Sequence, residues 1–132
     1  MSPTPLTVRL PGWLDEELRS HLAEFGEGPS QGLRRVVEEW WARENFPAIE
    51  FRTGPAGRRA VLGDGPAVAE VVSAWRASDG DFKSFRQHFP ELSSAQLIQA
   101  RDYYARFPEL VERAISEDER LKEYLERKRE GG

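Results

Sequence analysis

Apolar and polar residues alternate through Leu6-Thr7-Val8-Arg9-Leu10, which sets Leu6, Val8 and Leu10 on one side and Thr7 and Arg9 on the other. A period of two predicts a half-buried strand with one wet face. No second strand pattern follows before Ile49, and a lone strand leaves its amides and carbonyls unpaired. The pattern therefore predicts pairing with the same strand of a second copy. The period then lengthens. Leu14, Leu18, Leu22 and Phe25 form one stripe and predict a helix over 14–25, with Asp15, Glu16 and Glu17 near its electropositive end. Gly26-Glu27-Gly28-Pro29-Ser30 is turn chemistry, and Leu33, Val36, Val37, Trp40 and Trp41 predict a second helix over 31–43 with Ser30 as its N-cap. So broad an apolar face exceeds what the first helix can cover, and dimerisation is the natural way to bury it.

This order of strand, helix, Gly-rich turn and helix resembles the ribbon-helix-helix DNA-binding domains of the MetJ/Arc type, over roughly the first third of the chain. The resemblance implies that paired strands enter the major groove. It implies that Thr7 and Arg9 of each chain reach base edges, and that Ser30 and Gln31 at the second helix start hold backbone phosphate. The residues alone also allow a plain helix cap at Ser30 that touches no ligand.

A second unit is predicted from about residue 48. Ile49-Glu50-Phe51-Arg52 and Arg58-Arg59-Ala60-Val61-Leu62 alternate as strands on either side of Thr53-Gly54-Pro55-Ala56-Gly57, a hairpin with a five-residue turn. After the breaker Gly63-Asp64-Gly65-Pro66, residues Val68, Val71, Val72 and Trp75 predict a helix that ends at Ser78-Asp79-Gly80. Phe82, Phe85 and Phe89 mark a short helix. Pro90-Glu91-Leu92 turns, Ser93 or Ser94 caps, and a longer helix follows with Leu97, Ala100, Tyr104 and Phe107 inward. Short helix, tight turn and longer helix make a helix-turn-helix arrangement with the hairpin as a wing. Gln96, Gln99, Tyr103 and Arg106 are expected on the opposite face. With Arg58 and Arg59 of the hairpin, Gln96, Gln99 and Arg106 are a second candidate DNA surface, or simply a solvated helix face.

The order from Ile49 to Ile115, with Phe51-Arg52, Gly54-Pro55, Gly57-Arg58-Arg59, Leu92-Ser93, Tyr103-Tyr104 and Phe107-Pro108-Glu109, resembles a small helix-turn-helix-like family of uncharacterised function. That family recurs in VapB-type antitoxins encoded beside PIN-type ribonuclease toxins. Its usual Gly-Thr-Arg triplet is here Gly63-Asp64-Gly65. The remaining 116–132 stretch reads as a charged helix or tail, with Glu117, Asp118 and Glu119 ahead of Arg127, Lys128 and Arg129. By resemblance such a tail covers the toxin, which makes Leu121, Leu125, Arg127 and Arg129 the candidate contacts. A frayed, solvated tail is the other reading.

Charge and composition sharpen this picture. With 19 basic against 23 acidic residues the net charge is −4, so any DNA affinity must come from a local basic face. The 132 residues contain no cysteine, which excludes disulfides and thiolate chemistry, and no apolar run reaches membrane-spanning length. Gly28-Pro29-Ser30-Gln31-Gly32 matches the letters of a nucleophile elbow, but a helix rather than a strand precedes it, and His21 and His88 are the only histidines. Asp79-Gly80-Asp81 lacks the further ligands of a calcium loop.

The expected protein is mainly α with short β elements: a ribbon-helix-helix unit over 1–47, a hairpin and helix-turn-helix-like unit over 48–115, and a tail over 116–132. The expected function is a cytoplasmic, homodimeric antitoxin that binds operator DNA, represses its own operon and neutralises a PIN-type toxin. No catalysis, cofactor, metal or membrane partner is expected. A protein-interaction adaptor, or a repressor without a toxin, is the alternative.

Overall fold

A computed structural model describes residues 3–131. The elements run α1 (Gly12–Glu24), α2 (Pro29–Asn45), β1 (Ile49–Gly54), β2 (Gly57–Leu62), α3 (Val68–Ala77), α4 (Phe82–His88), α5 (Ser94–Arg106) and α6 (Pro108–Gly131). The architecture is mainly helical with one two-stranded antiparallel hairpin. The chain divides into two compact units, one up to Trp40 and one from Trp41 onward, with the boundary inside α2.

In the first unit α1 follows Pro11 directly, and the Pro11 carbonyl accepts from Leu14 and Asp15. It ends in a Schellman turn. Gly26 takes φ +65°, Glu27 N–H reaches the Leu22 carbonyl and Gly26 N–H the Ala23 carbonyl. Gly32 lets α2 approach α1 closely, because a Cβ there would overlap the Leu22 isopropyl group. Leu22 is the large apolar side chain that this approach buries. The rest of the junction is polar. Arg35 donates from Nε to both Glu27 oxygens (2.8 and 3.0 Å) and from Nη1 to Glu39 (3.2 Å). Its Nη2 lies 3.0 Å from His21 Nε2, and its guanidinium stacks 4.6 Å above the Phe25 ring. Residues 6–10 form neither helix nor strand within one chain, and all five side chains are exposed.

In the second unit the hairpin register pairs Ile49 with Leu62, Phe51 with Ala60 and Gly54 with Gly57. The connection is thus two residues, Pro55-Ala56, and shorter than the five expected. The strands extend to Gly54 and Gly57, and Gly57 supplies a φ of +102° for the tight return. Asp64, where the resembled family has threonine, accepts from Arg52 at 2.9 Å, and the Gly63 carbonyl accepts from the same guanidinium. The inward hairpin residues Ile49 and Leu62 join Val68, Ala69, Val71, Phe85, Leu92, Ala100 and Tyr103 in one core.

Helix starts here are well made. Asp81 caps α4 through Ser84 N–H, and Ser93, not Ser94, caps α5 in a full capping box with Gln96. Tyr103 is a correction: it was expected outward, yet it is 3% exposed and packs edge-on against Phe46 and Phe51. Two adjacent tyrosines satisfy either face of a period, and packing chose the first. The tail is corrected too. No separate segment begins at residue 116, since α6 is continuous from Pro108 to Gly131 and buries Val111, Ala114 and Ile115 in the core. No helix among the described residues is long and apolar enough to cross a membrane.

Candidate nucleic-acid interface

The candidate interface begins with side chains that have nothing to cover them. Leu6 is 84% exposed and Val8 55%, and Leu10, Trp13 and Leu14 are exposed as well. On α2, Leu33, Val37 and Trp40 recur at four and three, one face of the helix. Val37 is 49% exposed and Trp40 55%. Moving a large apolar side chain from water into a packed face is worth about 1.5–3 kcal/mol, so this surface is a strong drive toward association.

Thr7 and Arg9 alternate with the bare leucines and valine and are solvent-exposed. If the apolar members of 6–10 turn into a paired ribbon, Thr7 and Arg9 take its outer face by the strand period alone. Ser30 corrects the expectation. Helix α2 begins at Pro29, so Ser30 lies inside the first turn and is not its N-cap, and the Gly28 carbonyl accepts from Gly32 N–H at 2.9 Å. Proline suits the first helical position because its missing N–H has no helical acceptor to lose. The Ser30 and Gln31 amides still stand among the first-turn donors without intrahelical acceptors, and both side chains are exposed.

The residues expected as a second DNA surface do not stand together as open donors. Arg59 is held by Glu117 (3.1 Å) and Asp118 (3.2 Å) of α6. Arg58 is half-buried and reaches Thr53 Oγ1 at 3.2 Å. Gln96 closes the α5 capping box, and Gln99 accepts from Ala48 N–H at 2.7 Å. Arg106 is exposed and stacks 5.1 Å over the Trp41 ring. The outward face of α5 is instead Ala95, Ile98, Arg101 and Ala105, with Arg101 paired to Asp102. An apolar Ile98 at 47% exposure gives no sequence signal for an outer face.

A further cluster had no signal in the sequence. Arg76 of α3 donates to Tyr104 Oη of α5 (2.8 Å) and to Glu112 of α6, and the Tyr104 hydroxyl donates to the same carboxylate. The hydrogen bonds from Arg76 and then Tyr104 hold Glu112 below the ordinary carboxylate range, and the Glu112 carboxylate pushes Tyr104 up. The arrangement is a clasp across three helices.

The candidate toxin contacts Leu121, Leu125, Arg127 and Arg129 all lie on the second half of α6, where every side chain from Glu119 onward is exposed. Among the described residues no group of three or more His, Asp or Glu side chains could hold a metal ion. His21 is engaged by Arg35, and His88 lies beside the Phe89 ring. Set against protein-family models, curated proteins and solved structures, the chain matches none, so both family resemblances rest on the residues quoted for them.

Proposed function

We propose that the chain is a homodimeric DNA-binding antitoxin of VapB type, which pairs its 6–10 strands into a ribbon and represses its own operon. The observation that carries this reading is the unpartnered apolar surface of the first unit: Leu6, Val8 and Leu10 in the arm, and Leu33, Val37 and Trp40 on α2. A second copy covers such a surface and gives the lone strand its hydrogen-bonding partner. Pairing then sets Thr7 and Arg9 of each chain toward base edges, and the amides and side chains of Ser30 and Gln31 toward flanking phosphates. By the resemblance of the second unit, the protein partner is a PIN-type ribonuclease, taken by Leu121, Leu125, Arg127 and Arg129 on α6.

Two substitutions test the reading. Val37→Lys places a charge at the centre of the proposed dimer face, and sedimentation should show a smaller assembly than the parent forms. Arg9→Ala keeps the dimer and should weaken binding to a palindromic fragment upstream of its own reading frame by about 1–3 kcal/mol. A parent chain that sediments as a monomer would sink the proposal.

A protein-interaction adaptor is the second reading. It is favoured by the net charge of −4 and by the internal engagement of Arg59, Gln96 and Gln99. Salt separates the two. Phosphate contacts make DNA affinity fall steeply with salt at a defined site, whereas an adaptor binds DNA weakly and without sequence preference.

A further inference from the structure

Helix α6 keeps one stripe along its whole length. Val111, Ala114, Asp118, Leu121, Leu125 and Lys128 recur at alternating spacings of three and four, the period that keeps one seam facing a partner helix. Val111 and Ala114 are buried in the second unit, and Asp118 meets Arg59 of β2. Beyond that point the seam is bare: Leu121 is 44% exposed and Leu125 54%. Residues 118–131 amount to about 21 Å of helix at 1.5 Å per residue, long enough for a short two-helix contact.

The charges along this half say what fits against it. Its beginning is acidic, with Glu117, Asp118 and Glu119, and its end is basic, with Arg127, Lys128 and Arg129. A helix of the same sequence running the other way brings the opposite sign to each end. With Leu121 set across from Leu125 of the second helix, Asp118 falls across from Lys128, and the two-fold repeats both contacts. A parallel pair would instead stack the acidic blocks on each other and the basic blocks on each other.

We propose that the exposed half of α6 pairs antiparallel with the same half of a second copy, in the register that sets Leu121 against Leu125 and Asp118 against Lys128. The inference goes beyond the DNA-binding reading and does not rest on it, because it uses only the seam and charge order of α6. Asp118 can accept from Arg59 and Lys128 together, since a carboxylate offers about four acceptor positions. A nuclease that takes Leu121 and Leu125 would compete with this pairing, so partner binding and self-pairing of the tail are mutually exclusive states.

The chain has no native cysteine, which makes covalent trapping clean. Full-length Leu121→Cys and Leu125→Cys chains are oxidised separately and after co-expression. The expected result is a covalent Leu121→Cys to Leu125→Cys product several times more abundant than either homodimer, because only the antiparallel register brings those Cβ atoms within disulfide reach. Lys128→Asp, whose parent side chain reaches Tyr124 of the same exposed stretch, should cut the trapped product, and Lys128→Arg, which keeps the charge, should leave it intact. No covalent product, or homodimers equal to the mixed product, would overturn the pairing. A yield indifferent to Lys128→Asp would overturn the register.

Discussion

The two units of this protein solve the burial of apolar side chains in opposite ways. From Trp41 onward one chain supplies both faces of its core: a hairpin and four helices enclose Ile49, Leu62, Val68 and Phe85. Up to Trp40 the helices meet through Leu22 over Gly32 and through the Arg35 ion cluster, while the larger side chains of the arm and α2 stay in water. Charged clusters fix geometry more than they add stability, because desolvation offsets much of their attraction. The core of the second unit is therefore enclosed by a single chain, whereas the first unit leaves its large apolar side chains open, the surface that the proposed homodimer would cover.

The sharpest way to break this comparison is in the complete unit. Leu62→Ala removes a fully buried side chain and should cost about 2–5 kcal/mol in denaturant unfolding, at any protein concentration. Concentration dependence of that loss would show that the second unit also relies on assembly. Next is the polar junction. Arg35→Ala removes the guanidinium that the mostly buried Glu27 and Glu39 carboxylates share and should cost about 3 kcal/mol. If the proposed homodimer forms, parent and variant should both gain stability as protein concentration rises, with the difference between them unchanged. An effect within about 0.5 kcal/mol would mean that the cluster is no more than a surface pair.

The smallest effect is expected at the Arg76–Tyr104–Glu112 clasp, which is exposed to solvent screening. Glu112 is held below its ordinary range by hydrogen bonds from Arg76 and Tyr104, so its contribution is present above the unfolded carboxylate pKa and lost as pH falls through the lower folded value. Glu112→Gln should therefore flatten the acid side of a plot of Tm against pH. An unchanged acid slope would show that the clasp does not couple protonation to stability.

Much of the second unit is legible in its sequence because its signals are local. The Val68, Val71, Val72 and Trp75 stripe, the Ser93 cap and the glycines around the hairpin each specify their element within a few residues. The sequence predicts too long a hairpin turn because Gly54 and Gly57 suit either a turn or the ends of strands. The helical period places Tyr103 outward because its neighbour Tyr104 fits the same inward arc. The roles of Gln99 and Arg59 were not legible at all, since Ala48 and Asp118 lie 51 and 59 positions away.

By itself the sequence determined the helical periods, the hairpin and the imbalance of apolar surface in the first unit, because these follow from residue order within a turn or a strand. Only the tertiary structure decided that Arg35 gathers Glu27, Glu39 and His21, that Arg76, Tyr104 and Glu112 form one clasp, and that α6 is half core and half open seam. Each of those depends on which distant elements come together, and pairing across a fold is set by packing rather than by any local pattern.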